Sequence, residues 1–423
     1  MYKTWRGMGH GVGALVWGLC VRDFNLFYKL PEAILAILGQ IVAAALEIAM
    51  NMLKPRKQPP RKRVGPAPRP LYTRANEKRL CVISREIPMK MRLVSVAAAA
   101  LCTTAIATEA IATEWNASLW GKRRAFTEHV EKLAELVAEK SGGDFTLNIS
   151  YGGLSKNTEN LDGISIGAFE MAQFCAGYHA DKNPSITVLE LPFLGVSSLA
   201  QEVEVSKAIY SHPATIADLG RWNATLLMPS PMPQYNIAGT GEAPKTLEEF
   251  AGMTVRATGG IGKAMSMVGA VPTSVTSSEA RQAMDSGVVK SVAFAPHAHM
   301  SFATIDASQW WTTNLNPGTV NCPIVVNSDA LADLTDEERE ILLGSVDEAL
   351  DHYVANYEGN TMGKWGPLLE EKGIEQVTYE QSAIDQFREK AAGPIAATWI
   401  EENNARGLPA QELYDLVIET ISK

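Results

Sequence analysis

The sequence predicts an α/β protein whose short strands form a parallel sheet covered by helices on both faces. Residues 246–294 alternate short helices with apolar runs, and residues 122–174 repeat the strand–helix–strand order. Such alternation is typical of parallel sheets. Ligands of these sheets lie beyond the carboxyl ends of the strands, so side chains at strand ends are the first candidates for a binding site.

The first part of the chain predicts a strand, an amphipathic helix and two further strands. The helix has Phe126, Val130, Leu133, Leu136 and Val137 on one face. The predicted elements are a strand over 114–120, a helix over 122–140, a strand over 145–151, a helix over 157–166 and a strand over 169–174. Strand ends in this part give four candidate pocket residues: Trp115, Asn116, Phe174 and Tyr178. For the aromatic ones among them, packing in the core is the alternative.

A Pro-rich segment, residues 230–235, follows the predicted strand over 226–229 and has the composition of a stiff crossover between two lobes. Gln234 and Tyr235 at its end are expected to lie at the cleft. After it, Thr246 and Glu249 form a capping-box pattern that predicts a short helix. The elements that follow are a strand over 253–257, a helix over 261–268, an extended run over 271–275, a helix capped by Ser277 or Ser278 and a strand over 288–294.

Arg256 is a charged residue near the carboxyl end of a predicted apolar strand. A guanidinium fork matches a carboxylate with two hydrogen bonds, and Gly259-Gly260 just after it lets backbone approach closely. The alternative is a solvated side chain at a surface strand end. Phe294, at the end of the strand over 288–294, is a further pocket candidate.

Two neighbouring tryptophans, Trp310 and Trp311, point to opposite sides if their run is a strand, so that one of them, Trp310, is a candidate pocket wall. Residues 321–327 predict a buried strand that returns the chain to the first lobe. Cys175 and Cys322 lie on different strands, and whether they pair stays open. Thr335 and Glu338 form another capping box, which opens helices to about residues 359 and 371, and terminal helices follow over 380–421.

Composition, charge and motifs exclude some classes of function. Residues 1–88 hold 15 basic and 5 acidic residues, whereas the remainder holds 23 basic and 42 acidic, for a net charge of −9. The acidic main body argues against nucleic-acid binding. Gly163-x-Ser165-x-Gly167 matches a hydrolase elbow but lacks a preceding strand, and His297-x-His299 lacks a third metal ligand. We therefore expect no enzyme activity, no metal and no cofactor.

The N-terminal region contains a signal-peptide pattern that does not start the chain. Residues 89–92 are a short basic start, and an apolar run of about fifteen residues follows before small residues near 110. Residues 1–88 are therefore either the product of a start site assigned too early or a genuine extension. In the second case residues 30–53 could form a membrane helix followed by the basic run 54–63.

Several runs resemble one family. GMTVRATGG followed by SSEARQAMDSGVV, the segment 139–173 and LELPFLG (189–195) are similar to the periplasmic solute-binding proteins of TRAP (tripartite ATP-independent periplasmic) transporters, of the DctP type. The resemblance covers about 113–420 and implies a two-lobed periplasmic binding-protein fold with the ligand cleft between the lobes and a long helix spanning both. It implies lobe I at 111–233 plus about 322–365, and lobe II at 234–321 plus about 366–423.

The same resemblance assigns roles to particular residues. In the family the strand arginine, here Arg256, forms a salt bridge with the substrate carboxylate, and an asparagine that corresponds to Asn314, or otherwise Asn316, bonds the same group. The crossover with Gln234 and Tyr235 supplies a contact that varies between members. One departure is Lys290-Ser291, where the family has Asp-Gly; Lys290 could alter the pocket.

The resemblance implies a periplasmic receptor that captures a small organic acid by hinge closure and delivers it to the small and large permease subunits of a TRAP transporter. We expect a monomer. The alternatives are a secreted ligand-sensing protein, which shares the binding chemistry, and an enzyme on the same fold. Neighbouring permease genes would favour transport, and turnover of a bound acid would favour the enzyme.

Overall fold

The computed structural model describes residues 112–423, which form two β-sheets with helices packed around them. The predicted signal peptide, the segment 1–88 and three of the cysteines, Cys20, Cys81 and Cys102, lie outside these residues. In the described part of the chain no helix combines the length and the apolar character needed to cross a bilayer.

The first sheet has five strands in the order β2-β1-β3-β10-β4. β1 runs parallel to β2 and β3, whereas β10 is antiparallel to β3 and β4. The predicted return of the chain is therefore observed, because β10 is far from its neighbours in sequence. These strands are β1 (Thr113–Leu119), β2 (Phe145–Tyr151), β3 (Met171–Gln173), β4 (Ala224–Met228) and β10 (Ile324–Asn327).

The second sheet has six strands in the order β11-β9-β5-β8-β6-β7. β6 is parallel to β7 and β8, but β5 is antiparallel to both of its neighbours, β8 and β9. Its strands are β5 (Asn236–Gly239), β6 (Thr254–Arg256), β7 (Val271–Thr273), β8 (Ser291–Phe294), β9 (Trp310–Thr312) and β11 (Glu375–Val377).

Both sheets are mixed, which corrects the expectation of parallel sheets. In each sheet the antiparallel strand, β5 or β10, forms directly after the chain crosses from the other sheet, although β11, which follows the last crossing, is parallel to β9. β5 follows the first crossing, after β4, and β10 follows the return, after β9. A strand that begins with a crossover can run in either direction relative to the strand–helix–strand units. Hydrophobic periodicity alone therefore did not reveal the antiparallel direction of β5 and β10.

Helices cover the sheets. The amphipathic helix is α1 (Glu128–Lys140), shorter than predicted because residues Ala125–Thr127 form a 3-10 turn, and the five apolar side chains predicted for its face are all buried. The next helices are α2 (Asn160–Ser165), α3 (Leu199–Tyr210), α4 (Pro213–Gly220), α5 (Gly259–Met267), α6 (Ala280–Asp285), α7 (Pro296–Ser301) and α8 (Ser328–Asp333).

The C-terminal part is helical as predicted, with one irregularity. The Thr335–Glu338 capping box opens α9 (Asp336–Gly344), and α10 (Val346–Asn356) passes through a π-helical segment, Tyr357–Thr361, into α11 (Met362–Glu371). The terminal helices are α12 (Gln381–Ala405) and α13 (Ala410–Ile421). α10 packs on α1, while Trp365 of α11 packs beside Ala238 of the second sheet.

Two predicted caps are wrong. The Glu249 carboxylate accepts a hydrogen bond from the Lys245 N–H at 2.7 Å, and the predicted helix is only a 3-10 turn, Glu248–Phe250. Thr276, not Ser277 or Ser278, forms the capping box with Glu279. The serines are free for other contacts, and Ser277 uses this freedom at the site described below.

Cys175 and Cys322 form a disulfide that joins the chain just after β3 to the chain just before β10. Phe174 N–H donates to Pro323 O at 3.2 Å and Ala176 N–H donates to Asn321 O at 2.8 Å, so backbone bonds flank the bridge on both sides. The disulfide therefore extends the antiparallel β3–β10 pairing beyond the sheet.

Candidate functional site

The site lies in a narrow cavity at the carboxyl end of β6. Residues that follow strands of both sheets line it. From the first sheet come Trp120, directly after β1, and Tyr178, after β3; from the second come Arg256 and Phe294, which end β6 and β8. Strand ends of both sheets therefore meet at this one cavity.

Arg256 is the central cation of the cavity. Only 2% of this residue is exposed, and none of the described acidic side chains lies within salt-bridge distance of it. A buried charge costs free energy unless it is paired, so this guanidinium is prepared for an anion that the chain does not supply.

Four hydrogen bonds hold the Arg256 guanidinium in place. Nε donates to the Val275 carbonyl at 3.0 Å and Nη1 to the Ala293 carbonyl at 3.5 Å. Nη2 donates to the Tyr178 hydroxyl at 3.0 Å and to the Ser277 Oγ at 3.2 Å. The guanidinium carbon lies 4.6 Å from the centre of the Phe294 ring, which adds a cation–π contact.

Tyr178 connects the two sheets at this point. Its hydroxyl accepts bonds from Arg256 Nη2 and from the Ser277 backbone N–H, both at 3.0 Å. The same hydroxyl lies 3.0 Å from the Ser277 Oγ. A residue that follows the first sheet thus contacts two residues of the second, and it closes one side of the cavity.

Aromatic side chains form most of the wall. Trp120 and Phe302 have nearly parallel planes, 3° apart, with ring centres separated by 6.3 Å. Tyr235 meets Phe294 edge to face at 6.3 Å, and its hydroxyl donates to the sulfur of Met232 at 3.6 Å. Burial raises the pKa of Tyr235, so the phenol stays protonated.

Three further ionisable groups line the cavity: Arg124, Glu190 and His297. Glu190 accepts hydrogen bonds from the Gly177 and Asn321 N–H groups, each at 3.1 Å, while burial raises its pKa to about 7. His297 bonds the Tyr357 hydroxyl through Nδ1 at 2.9 Å, and burial lowers its pKa to about 3. His297 is thus a neutral, buried side chain.

The structure brings together four of the predicted site residues and separates the rest. Arg256, Tyr178, Tyr235 and Phe294 line the cavity. Six others lie outside it: Trp115, Asn116, Phe174, Gln234, Asn314 and Trp310.

The positions of three of these six follow from the length of β1 and the alternation of β3. β1 continues to Leu119, so Trp115 packs in the core against Phe145 and Asn116 is exposed. Phe174 is fully buried and meets His179 edge to face, which leaves the next residue, Cys175, to line the cavity.

The other three make contacts elsewhere in and beside the second sheet. Trp310 is fully buried against Phe250, and Asn314 bonds the Tyr379 backbone through both its carbonyl and its amide. Gln234 and Asn316 line a separate groove. Lys290 is exposed and also lies outside the cavity, so it gives no reason to expect an altered pocket.

Sequence reasoning missed several lining residues, above all Trp120, Arg124, Phe126 and Phe302. The first two come just after β1, whose end was predicted to within one residue, but the nominated residues Trp115 and Asn116 lie near its beginning. Arg124 is a buried cation like Arg256, and its sequence context, two adjacent basic residues before a helix, gives no sign of burial. Phe302 follows α7, which strand-end reasoning does not reach.

Neither dismissed motif forms a reaction centre. Ser165 ends helix α2, with no strand before it. His299 bonds Thr304 Oγ1 through Nδ1 at 2.8 Å and is fully buried. Within residues 112–423 no group of three or more His, Cys, Asp or Glu side chains is arranged to hold a metal.

Comparison with known proteins agrees with this geometry. Residues 117–402, more than half of the chain, match the family described as DctP: bacterial extracellular solute-binding protein, family 7. The chain belongs to the DctP family. No protein matched in the comparison with curated sequences.

Solved DctP-type structures share the fold. A Bordetella pertussis extracytoplasmic solute receptor binding pyroglutamic acid, DctP7, is 18% identical with a TM-score of 0.63, covering 72% of this chain and all of that one. A marine metagenome TRAP protein in complex with 3-hydroxybenzoate is 18% identical with a TM-score of 0.67, covering 74% and 98%. A Sulfitobacter protein with bound galacturonate is 17% identical with a TM-score of 0.63, covering 73% and 100%.

Proposed function

We propose that this protein is the receptor of a TRAP transporter and that it captures a small organic acid in the periplasm. The observation that carries the proposal is the buried Arg256 guanidinium, which faces a cavity and has no acidic partner among the described residues. A ligand carboxylate would supply that partner. The acid would then pass to the small and large permease subunits in the membrane.

The contacts of Arg256 suit a carboxylate in particular. Two backbone carbonyls and Phe294 fix the plane of the guanidinium before any ligand arrives, which reduces the ordering cost of binding. The Nη2 donors are held by neutral hydroxyls, Tyr178 and Ser277. A carboxylate makes stronger charge-assisted bonds than these hydroxyls, so it can share or replace them.

Aromatic walls strengthen this pairing. The rings of Tyr235, Phe294 and Trp120 keep water away from the charged pair. In such a low-dielectric site the attraction between two charges is several times larger than in water. The cavity therefore favours an anion with an apolar body over a fully hydrated one.

Capture would involve closure of two lobes around the acid. We assign residues 111–233 and about 322–365 to lobe I, and residues 234–321 and about 366–423 to lobe II. The helical run α10–α11 contacts elements of both sheets and is our candidate for the lobe-spanning helix. The Tyr178–Arg256 bond would then form on closure, which ties the capture of the ligand to the movement of the lobes.

The solved relatives support the class of ligand. Their bound molecules, pyroglutamic acid, galacturonate and 3-hydroxybenzoate, all carry one carboxyl group on a ring. Export through a signal peptide at about 89–110 would bring the protein to the periplasm, where the Cys175–Cys322 disulfide is stable. We expect the protein to act as a monomer.

A thermal-shift screen of matched pairs tests the proposal. The purified protein is heated with organic acids and with the corresponding neutral amides. A ligand of the folded state at 100 times its dissociation constant stabilises it by about 2.7 kcal/mol, a shift of several degrees. We expect acids to shift the melting temperature and their amides not to. Equal shifts by an acid and its amide would contradict capture through a carboxylate, and turnover of a bound acid would indicate an enzyme.

A further inference from the structure

The cavity holds a second buried cation, Arg124, which a carboxylate on Arg256 leaves without a partner. Arg124 follows β1 and precedes the 3-10 turn Ala125–Thr127, and only 7% of it is exposed. It lines the same cavity as Arg256 but follows a strand of the first sheet, whereas Arg256 ends a strand of the second. The two cations therefore reach the ligand space from different parts of the fold.

The chain fixes one side of the Arg124 guanidinium and leaves the other side open. Nη1 donates to the Trp120 carbonyl at 3.0 Å and to the Lys122 carbonyl at 2.6 Å. Nη2 is buried and has no hydrogen-bond partner among the described residues. Within residues 112–423 no acidic side chain lies within 4.0 Å of Arg124.

Three aromatic rings surround this guanidinium. Its central carbon lies 4.4 Å from the centre of the Trp120 ring, 5.1 Å from that of Phe126 and 5.4 Å from that of Phe302. These contacts recover part of the hydration that burial removes. A purely structural role as a loop anchor would use Nη1 and the rings, but it would leave two buried N–H donors unsatisfied, which costs free energy.

The nearby acid does not serve as the missing partner. Among the described residues that line the cavity, the acidic one is Glu190. Its carboxylate accepts hydrogen bonds from the backbone N–H groups of Gly177 and Asn321. Burial lowers the pKa of Arg124 to about 10, so the side chain remains protonated at neutral pH. The cavity consequently presents two fixed cations and no paired anion.

We propose that Arg124 is a second anion-binding position and that the ligand is a flat, ring-containing acid with two negatively charged groups, one on Arg256 and one on Arg124. This inference rests on the proposed function and names its substrate class. The aromatic rings that line the cavity with the two cations, among them Trp120, Phe294 and Phe302, suit a planar apolar centre. An acid with one carboxylate would leave Nη2 of Arg124 buried and unpaired, so the site discriminates against it.

Calorimetric titration with benzoate and with 1,3- and 1,4-benzenedicarboxylate at neutral pH tests the inference. The acids share the ring and differ in the number of carboxylates. We expect the protein to bind at least one dicarboxylate about tenfold or more tighter than benzoate, equivalent to about 1.4 kcal/mol. In R124Q we expect this ratio to fall to about one, whereas R124K, which keeps the charge but loses the fork, should retain part of it.

The control is R388Q, which removes an exposed arginine outside the cavity and should keep the full ratio. A loop anchor alone would change the melting temperature of R124Q without changing the ratio of the two dissociation constants. If R124Q does not fold, the wild-type ratio and R124K still decide. Equal binding of benzoate and the dicarboxylates, no binding of any dicarboxylate, or an unchanged ratio in the Arg124 variants overturns the inference.

The proposed function fails in a different way. It fails if no acid of any kind binds, or if R256Q binds acids as the wild type does. Tight binding of a monocarboxylate that depends on Arg256 but not on Arg124 would overturn only the second anion-binding position.

Discussion

Nη2 of Arg256 lies 3.0 Å from the hydroxyl of Tyr178, and this bond joins a residue that follows the first sheet to one that ends a strand of the second. The bond therefore has two effects: it orients the guanidinium, and it holds the two sides of the cavity together. We therefore expect loss of this bond to change ligand binding more than the stability of either sheet.

Y178F keeps the ring and removes the hydroxyl. A hydrogen bond to a charged group contributes about 1.5–3 kcal/mol, so we expect the affinity for the captured acid to fall by about 10- to 100-fold. The faster dissociation should be visible by stopped-flow measurement, since closure is weakened. Y414F, in a partly buried tyrosine outside the cavity, is the control. An unchanged dissociation rate in Y178F would show that the bond does not contribute to closure.

The Cys175–Cys322 disulfide closes a loop across 147 residues of sequence between β3 and β10. Removing a native disulfide lowers the free energy of unfolding by about 2–5 kcal/mol. We expect the double variant C175A/C322A to melt well below the wild type. Because both cysteines also line the cavity, its ligand affinity should fall too. Equal melting temperatures under oxidising conditions would contradict a structural role.

Glu202 is a buried acid whose pKa burial raises to about 8. Between the unfolded pKa of about 4.5 and this value the folded state binds more protons than the unfolded state. The Glu202 carboxyl therefore makes the protein less stable as pH rises, and this effect levels off above pH 8. E202Q removes the effect. We therefore expect its stability relative to the wild type to increase by about 1–3 kcal/mol from pH 5 to pH 8, as measured by urea unfolding.

The buried histidines change stability with pH in the opposite direction, so the effect of Glu202 is read from the difference between E202Q and the wild type. Burial lowers the pKa of His129, His297 and His299 to about 3, so they make the protein more stable as pH rises from about 3 to about 6.5. These contributions cancel in the difference between E202Q and the wild type. A difference that does not change with pH would contradict the raised pKa of Glu202.

Gly260, at the start of α5, has no room for a side chain. A Cβ there would lie 2.0 Å from the Glu190 carbonyl oxygen and 2.9 Å from the Pro192 ring. Because backbone must move, we expect G260A to lower the free energy of unfolding by about 1–3 kcal/mol. G262A, whose Cβ would meet its nearest neighbours at 3.4 Å, is the matched control in the same helix. Equal stability of the two variants would show that the contact with Glu190 is not tight.

The sequence predicted the elements of the fold well where hydrophobic periodicity is strong. Residues 145–151 form a strand with the predicted limits, and the apolar face of α1 is buried as expected. Strand direction was less accessible, because β5 and β10 owe their antiparallel pairing to the crossings between sheets. The two cysteines were candidates from the sequence, which could not show that they pair, because only the fold brings Cys175 beside Cys322.

The candidate site was partly predictable for a physical reason. Arg256 combines a charge with a strand end, and this conflict with local burial is visible in the sequence. Arg124 shows no such conflict, because its burial depends on Trp120, Phe126 and Phe302, which the folded chain brings around it. Trp310 and Asn314 appeared suitable by type, but they satisfy contacts of the second sheet instead.

The affinity of R256Q for the acid that stabilises the wild type most strongly tests the central claim most directly. Titration calorimetry on the wild type, R256Q and the control R388Q gives the three dissociation constants. Removing one partner of a buried charge pair costs about 2–5 kcal/mol, so R256Q should bind at least about 30-fold more weakly. R388Q should match the wild type, and R256Q should keep its fold by circular dichroism. If a folded R256Q binds the acid as tightly as the wild type does, Arg256 does not hold the ligand carboxylate.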